Sequence, residues 1–322
     1  MDYSLRLVEA LAAQGVEVVL AGGERRGRLS AVAVAAQARA ERVDLVHVQY
    51  PMARYRASLM PHRVANLAGL RTLVTLHEFS RSHPLRRLAG LAFSRADGLI
   101  FTNGFEHAAF VRCYPWSRGR SQVIAIGSNI PWLPDGPSRN LNEICYFGLI
   151  RPDKGLEDFL ELARLAAVAA PELRFRVLGA IPSGQGEYCE RMRGKSAGLA
   201  HLGWETGRSD AEVARRLAAT GFVYLPYPDG ASERRSTLLA ALGNGATVIT
   251  SPGDEVPPGL ASAVRFARGP VEALAQVRAL RADTPGVASL RSAGRAWAQS
   301  RGWEAIAAAH RDLYARMVAR RI

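Results

Sequence analysis

The sequence predicts an α/β protein made of two doubly wound domains, and three observations carry that prediction. Short apolar stretches alternate with segments of helical periodicity along the 322 residues, a pattern typical of parallel sheets covered by helices. Residues Leu133–Leu141 are rich in proline, glycine and polar side chains, which predicts a linker. The alternation then starts again. Two such domains are expected to face a cleft at the carboxyl ends of their strands.

The first half begins with a helix and continues as alternating strands and helices. Tyr3–Gln14 has a repeated apolar face and predicts a helix that ends at Gly15. Further helices are predicted at Ala31–Arg42, Tyr55–Ala68, Leu85–Ala96 and Gly104–Arg112. Strands are predicted at Val16–Ala21, Val43–Val48, Arg71–Leu76, Gly98–Thr102 and Gln122–Ile126. We expect these elements to form a first domain over residues 1–134.

The second half repeats the pattern after the linker. Strands are predicted at Asn142–Phe147, Arg174–Gly179, Ala200–Leu202, Gly221–Leu225, Thr247–Ser251 and Val264–Phe266. Helices are predicted at Leu156–Ala170, Glu187–Gly194, Asp210–Thr220, Ser236–Gly243, Val271–Ala282, Val287–Gln299 and Trp303–Arg320. We expect a second domain over residues 141–302 and a closing helix over 303–322.

The composition is that of a globular protein, with 48% hydrophobic and 22% charged residues. No apolar run reaches the roughly 18 residues that span a bilayer, and the first helix has acidic residues instead of the apolar core of a signal peptide. A cytoplasmic location is therefore expected. The cysteines, Cys113, Cys145 and Cys189, lack metal-ligand spacing, which favours reduced thiols.

The net charge of +13 favours phosphates, nucleic acid or an anionic membrane surface as partners. The basic residues are dispersed, without an aromatic-interleaved stripe or a nucleic-acid motif, so nucleic acid is not expected. A peripheral position on the inner face of a membrane stays open. A basic protein that binds a membrane surface or nucleic acid, with α/β halves that serve only as scaffold, is a further alternative.

The segment Ile144–Arg164 (ICYFGLIRPDKGLEDFLELAR) reads as a strand, a glycine-containing turn and an amphipathic helix. Its turn carries Arg151 and Lys154, and Lys154 is one of two lysines among 42 Lys and Arg. Such a turn gathers free N–H groups and the positive end of a helix dipole. The pattern therefore indicates a diphosphate site; the alternative is a solvated turn with ordinary surface charges.

A second segment, Leu225–Thr250 (LPYPDGASERRSTLLAALGNGATVIT), reads as a strand end, a proline-rich loop, a helix and a strand. We expect Ser232 or Ser236 to cap the helix, whose first turn offers N–H groups to a phosphate. The loop carboxylates, Asp229 and Glu233, are candidates for sugar hydroxyls. The alternative is a plain crossover with a polar loop.

Polar residues also follow strands of the first half. His77 comes directly after the strand RTLVTL, where parallel sheets present side chains to a ligand crevice; a structural role is the alternative. His47 and Gln49 end a neighbouring strand in the same way. Asn103 and Glu106 are expected to cap a helix.

Taken in order, these segments resemble the retaining family 4 glycosyltransferases, which have the GT-B fold. FGLIRPDKGLEDFLE and PDGASERRSTLLAALGNGATVIT resemble the donor-binding segments of that family. VTLHEF resembles the strand whose histidine approaches the donor sugar, and WEAIAAAHRDLYARM resembles the closing helix that crosses back to the first domain. The resemblance covers nearly the whole chain.

The resemblance implies transfer of a sugar, with retention, from a nucleoside-diphosphate sugar to a carbohydrate or lipid-linked acceptor. Polysaccharide or glycoconjugate synthesis would be its setting, with no required metal and no cofactor besides the donor substrate. Arg151 and Lys154 would neutralise the diphosphate, and His77 would lie near the transferred sugar. The implied catalytic set is His77, Arg151, Lys154 and Glu233, and the implied donor contacts are Asp229, Ser236, Thr237 and Leu238.

The chain departs from the family pattern in two ways. Ser232 and Ala240 stand where the family has paired glutamates, and Leu149 replaces an arginine after the strand glycine, which opens the alternative of a non-catalytic GT-B-like binding or partner subunit. The first strand and glycine-rich loop of the family also have no counterpart here. We therefore expect a start upstream of Met1, and a first sheet that lacks its central strand.

Overall fold

The computed structural model describes residues 3–21, 30–50, 58–67, 69–80, 83–134 and 139–319. Its contacts divide the chain into two compact units. Unit 1 comprises Met1–Ile126 and Trp303–Ile322, and unit 2 comprises Gly127–Gly302.

Unit 1 is built on a four-stranded parallel sheet with the order β1-β2-β3-β4. The strands are β1 (Val46–Tyr50), β2 (Thr72–Leu76), β3 (Gly98–Phe101) and β4 (Ser121–Val123). Every residue of β2 and β3 is buried, as expected for parallel strands covered on both faces. β1 lies at an edge of the sheet.

Helices cover both faces of this sheet. They are α1 (Tyr3–Ala12), α2 (Ala31–Ala40), α3 (Met60–Val64), α4 (Pro84–Phe93), α5 (Gly104–Cys113) and the last helix of the chain, α12 (Trp303–Ala319). On one face Val34, Val74 and Phe110 share a core. On the other face Leu7 of α1 and Ile306 of α12 share a second core, so α12 belongs to unit 1.

Unit 2 is built on a six-stranded parallel sheet with the order β10-β9-β8-β5-β6-β7. Its strands are β5 (Asn140–Leu149), β6 (Arg174–Ala180), β7 (Leu202–Thr206), β8 (Thr220–Leu225), β9 (Thr247–Thr250) and β10 (Val264–Phe266). Its helices are α6 (Leu156–Ala169), α7 (Gly186–Ser196), α8 (Asp210–Ala219), α9 (Ser236–Gly243), α10 (Pro270–Ala282) and α11 (Thr284–Gln299).

The strand order reverses between β5 and β8, because β6 and β7 lie on one side of β5 while β8, β9 and β10 lie on the other. A reversal of this kind opens a crevice at the carboxyl ends of the two central strands. The prediction of an α/β fold with two doubly wound parallel sheets is therefore confirmed.

Two predicted elements of the first half are wrong or displaced. Val16–Ala21 is not a strand in the described structure, and the strand expected at Val43–Val48 is β1, shifted to Val46–Tyr50. A strand needs a neighbour that completes its hydrogen bonds, and no described strand pairs with residues 16–21. Parts of the predicted helix Tyr55–Ala68 and of the linker Leu133–Leu141 lie outside the described residues.

At Gly155 the turn after β5 comes into close contact with the loop after β8. Its φ of +75° lies in the left-handed region, and a Cβ at this position would collide with the carbonyl oxygen of Pro226. Glycine is therefore required both for the backbone conformation and for the close approach of the two segments.

We predict that Gly155→Ala lowers the free energy of unfolding by about 2–4 kcal/mol, because strain at positive φ adds to the steric conflict with Pro226. Urea unfolding followed by circular dichroism measures the change. Gly194→Ala is the matched control: Gly194 is exposed within α7, and a Cβ there meets open space. The control should be neutral or stabilising by up to ~1 kcal/mol. Equal stabilities of the two variants would contradict the argument.

Candidate functional site

A small basic pocket lies at the carboxyl ends of β5 and β8. Its volume is about 120 Å³, and we call it the basic pocket. It is lined by Tyr146, Phe147, Gly148, Leu149, Lys154, Tyr227, Arg234, Arg235, Ser236 and Thr237. The reversal of strand order thus brings together the two segments that the sequence singled out, Ile144–Arg164 and Leu225–Thr250, which are about 60 residues apart in the chain.

Tyr146 stabilises the turn between Leu149 and Lys154, which we call the basic turn. Its side chain is buried, and its hydroxyl lies 3.3 Å from the carbonyl oxygen of Leu149 and 3.1 Å from that of Lys154. Burial raises the pKa of the Tyr146 phenol well above its usual value, so the group stays protonated and donates to these carbonyls. One phenol therefore fixes both ends of the turn.

The two cations of the turn differ in their surroundings. Lys154 is half-buried and lines the pocket, whereas Arg151 is exposed and donates its backbone N–H to the Leu149 carbonyl at 3.2 Å. Asp153 between them has a φ of +62°, a left-handed conformation that aspartate tolerates better than most residues. The turn thus presents Lys154 to the pocket and Arg151 to its surroundings.

The N-terminus of α9 forms the opposite wall. The N-cap residue of α9 is Arg235, and its side chain makes no capping hydrogen bond. The prediction that Ser232 or Ser236 is the cap is therefore wrong: Ser232 is buried, and its hydroxyl has no hydrogen-bond partner in the described part of the chain. An uncapped helix start directs backbone N–H groups at an external acceptor.

Arg235 and Tyr227 were not predicted as site residues. The Arg235 guanidinium lies 4.4 Å from the centre of the Tyr227 ring and forms an ion pair with Asp229. The Tyr227 hydroxyl is 2.7 Å from the hydroxyl of Thr237. Two adjacent arginines directly before a helix start are a visible signal, but which of them stacks on an aromatic ring depends on the folded loop.

The predicted carboxylates are both engaged with arginines. Asp229 pairs with Arg235, and Glu233 pairs with Arg301 at 2.9 Å. The Arg301 guanidinium in turn stacks on the ring of Trp297 at 3.9 Å. Neither carboxylate is among the residues that line the basic pocket.

The remaining predicted residues of this site belong to α9. Ser236 and Thr237 line the pocket, whereas Leu238 is fully buried in the core below it, so only its backbone is suited to a ligand. Ala240 is also fully buried.

In unit 1 a series of hydrogen-bonded side chains leads to His77, the residue that follows β2. His77 Nε2 lies 2.9 Å from Gln49 Oε1, and Gln49 Nε2 lies 3.2 Å from His47 Nε2. The other nitrogen of His47, Nδ1, lies 2.8 Å from the hydroxyl of Tyr314 on α12. His77 is thus oriented through a chain of side chains that starts on the last helix.

Burial lowers the pKa of His47 well below its usual value, and the neighbouring His310 and His77 lower it further. A neutral His47 has one donor nitrogen and one acceptor nitrogen. His47 Nε2 also lies 2.7 Å from the Thr75 hydroxyl, so it accepts from this hydroxyl and from the Gln49 amide. Nδ1–H then donates to Tyr314, and Gln49 Oε1 accepts from His77 Nε2–H. The geometry therefore defines a direction for the whole chain of hydrogen bonds.

Asn103 and Glu106 have structural roles. Asn103 Oδ1 accepts from the Glu106 N–H at 2.8 Å, so the predicted helix cap is confirmed for Asn103, whereas the Glu106 side chain is used elsewhere. The Glu106 carboxylate is buried and accepts from the backbone N–H groups of Phe79 and Ser80, each at 2.7 Å. These bonds hold the segment that follows His77.

The described residues contain neither a cluster of metal-ligating side chains nor a helix suited to cross a bilayer. Within the described ranges, no three His, Cys, Asp or Glu side chains are grouped as metal ligands. None of the helices described combines the length and the apolar character that crossing a bilayer requires.

Comparison with solved structures identifies the fold. The chain is similar to a sucrose-phosphate synthase from Thermosynechococcus elongatus, with a TM-score of 0.69 and 18% identity over 98% of this chain and 93% of that one. It is similar to HepE from Anabaena in complex with UDP and glucose, with a TM-score of 0.67 and 17% identity over 93% and 84%. A glycosyltransferase from Rickettsia africae gives a TM-score of 0.71 and 12% identity over 98% and 88%.

The chain has the GT-B fold. At the level of sequence, no family model and no curated protein matches it. The GT-B part of the resemblance seen in the sequence is thereby confirmed.

We predict an acid-labile unit 1, because α12 buries a neutral histidine. Burial lowers the pKa of His310 to about 4, and its Nε2 has no hydrogen-bond partner among the described residues. Between about pH 6.5 and pH 4 the unfolded chain binds the proton that the native protein excludes. The free energy of unfolding should therefore fall as pH falls through this window, by on the order of 3 kcal/mol for this group.

Urea unfolding at several pH values measures this slope. His310→Leu should make the slope shallower between pH 6.5 and pH 4, since the titrating group is gone. Leu313→Val on the same helix is the control, because it removes packing without removing a titratable group, and it should shift the curve while leaving its slope. A His310→Leu curve parallel to that of the parent protein would refute the assignment.

Proposed function

We propose that this chain is a glycosyltransferase that moves a sugar from a nucleoside-diphosphate sugar to an acceptor with retention of anomeric configuration. One observation carries the proposal: Lys154 and the uncapped N-terminus of α9 line the same pocket at the switch point of a parallel sheet. This combination of a cation and backbone donors suits a diphosphate.

The proposed role of the basic pocket is to stabilise the leaving group. Departure of a nucleoside diphosphate builds negative charge on its terminal phosphate, and preorganised donors aimed at that charge lower the barrier. Lys154, held by Tyr146 under the turn, supplies a point charge. Arg151 on the exposed side of the turn is proposed to approach the same group.

The other assignments are parts of the same proposal. His77 is proposed to contact the transferred sugar. Asp229 or Glu233 is proposed to contact the hydroxyls of that sugar once its ion pair with Arg235 or Arg301 has opened. Ser236, Thr237 and the backbone of Leu238 are proposed to bind the diphosphate. Charge neutralisation by these groups supports a reaction without a required metal and with the donor substrate as the only small molecule.

The solved structures support the substrate class. HepE was determined with UDP and glucose and with UDP-glucose, so a uridine diphosphate sugar is the first donor to test. We propose a carbohydrate or lipid-linked acceptor, in polysaccharide or glycoconjugate synthesis. The net charge of +13 supports a cytoplasmic protein that contacts the anionic inner face of a membrane.

The proposal is tested with a panel of nucleoside-diphosphate sugars. We predict that at least one raises the melting temperature of the protein and is slowly hydrolysed or transferred, because binding to the native state alone stabilises it. Stabilisation without any turnover would favour the alternative, a non-catalytic GT-B-like binding or partner subunit, which the buried Ala240 in place of a carboxylate also favours. If no sugar nucleotide gave either stabilisation or turnover, the glycosyltransferase proposal would be refuted.

Lys154→Ala tests the role of the pocket. We predict at least a 100-fold loss of turnover, since one lost contact to a developing oxyanion costs about that much. The free energy of unfolding should change by less than about 1 kcal/mol. The control is Lys195→Ala, which removes the other lysine of the chain from an exposed position on α7. Equal turnover of the two variants would exclude Lys154 from the site.

A further inference from the structure

Arg235 lines the basic pocket from the wall opposite to Lys154. It is the N-cap residue of α9 and directly precedes the pocket residues Ser236 and Thr237. Its side chain is only 13% exposed, so the guanidinium belongs to the wall of the pocket. Arg151, in contrast, is exposed and is not among the residues that line the pocket. Arg235 therefore adds a second, permanent positive charge to the pocket itself.

The ring of Tyr227 fixes the position of the Arg235 guanidinium. The guanidinium lies 4.4 Å from the ring centre, within the range of a cation–π interaction, and the ring is buried. The Tyr227 hydroxyl is 2.7 Å from the Thr237 hydroxyl in the first turn of α9. Stacking uses the face of the guanidinium and leaves its N–H groups available for oxygen acceptors. Arg235 is thus held beside the backbone N–H groups at the start of α9.

The carboxylate of Asp229 is the acceptor that Arg235 contacts in this structure. Arg235 Nη2 donates to Asp229 Oδ1 and lies 3.5 Å from the carbonyl oxygen of Gly230. Arg235 Nε is buried and has no hydrogen-bond partner among the described residues. The Asp229 side chain is 41% exposed, and an ion pair with an exposed carboxylate contributes little to stability. An anionic ligand can therefore displace the carboxylate while the arginine stays in place.

A diphosphate is a stronger partner for Arg235 than the carboxylate. A carboxylate has one negative charge, whereas a terminal phosphate approaches roughly two, and the guanidinium fork can bind two phosphate oxygens at once. Lys154 supplies one positive charge to the pocket, and Leu149 on the same turn presents an apolar side chain. A bound diphosphate therefore needs the second cation that Arg235 provides.

The other carboxylate of the loop is harder to release. Glu233 and its partner Arg301 are 15% and 18% exposed, and the Arg301 guanidinium stacks on Trp297. Opening this pair would leave two largely buried charges, which is costly. The exposed carboxylate of Asp229 has no such penalty, so it is the better candidate for a contact that changes when the donor binds.

We propose that Arg235 is a diphosphate-binding residue and that the diphosphate of the donor replaces Asp229 as its partner. Arg235 keeps its place on Tyr227, and a phosphate oxygen takes over the contact that Asp229 Oδ1 makes. The Asp229 carboxylate then turns to the hydroxyls of the transferred sugar. One exchange of acceptors thus binds the leaving group and prepares the sugar contact. The inference rests on the proposed function, because it requires a nucleoside-diphosphate donor.

A double-mutant cycle measured by isothermal titration calorimetry tests the exchange without requiring turnover. The probes are UDP, ADP and GDP. For the nucleotide that the parent protein binds, Arg235→Gln should weaken binding about tenfold or more, since a charged donor to phosphate is lost. Asp229→Asn removes the competing carboxylate and should tighten binding about threefold or more. In the double variant this gain should disappear, because no contact is left to exchange. A gain that persists without Arg235 would overturn the exchange.

Arg193→Gln is the matched control. Arg193 also lies over an aromatic ring, that of Trp204 at 5.6 Å, and pairs with Glu190, but it does not line the basic pocket. Its substitution should leave the affinity for the nucleotide unchanged. If Arg235→Gln folds poorly, Arg235→Lys replaces it in the cycle, because lysine keeps the charge and loses the planar fork.

The sugar contact is tested by comparing a sugar nucleotide with its nucleotide. The ratio of the two affinities should fall about threefold or more in Asp229→Asn, since a carboxylate that accepts from sugar hydroxyls is lost. An unchanged ratio would overturn the sugar contact of Asp229.

The failure of this inference differs from the failure of the proposed function. Equal affinities of the parent and Arg235→Gln, with Lys154→Ala weakened, would overturn the role of Arg235 alone. If the parent bound neither these nucleotides nor any nucleoside-diphosphate sugar, the proposed function would be refuted and this inference with it.

Discussion

The pairing of β5 with β8 is the constraint on which the candidate site depends. These strands are far apart in the sequence and adjacent in the sheet, so the turn after one and the loop after the other leave the sheet side by side. Gly155 allows the two segments to touch at Pro226. Without that approach, Lys154 and the start of α9 would not line one pocket.

The electrostatics of the pocket follow from this arrangement. Arg235 pairs with Asp229 and Arg234 pairs with Glu255, so the arginines of the loop are already balanced by carboxylates. The N-terminus of α9 has no side-chain cap. The arginines of the loop are therefore held in place by these ion pairs, which limits the reorganisation that binding of an anion beside Lys154 and the start of α9 would require.

In unit 1 the side chains and the backbone of β1 have different surroundings. Toward α12, the side chains of His47 and Gln49 join a chain of hydrogen bonds that reaches from Tyr314 to His77. In the plane of the sheet, the backbone of the same residues faces an apolar cleft. The side chains of His47 and Gln49 thus find their hydrogen-bond partners within unit 1.

Local periodicity determined much of the fold from the sequence alone: the alternation of elements, the bounds of α9 and β10, and the basic turn with Lys154. These features follow from which residues face a core, and that is encoded within a few positions. Only the tertiary structure decided that Tyr146 holds the turn, that Arg235 stacks on Tyr227 and that Val16–Ala21 is not a strand. The first two outcomes depend on how a loop folds back on residues up to eight positions away, and the third depends on a neighbouring strand. Hydrogen bonds and ring contacts of this kind require a loop geometry that periodicity does not specify.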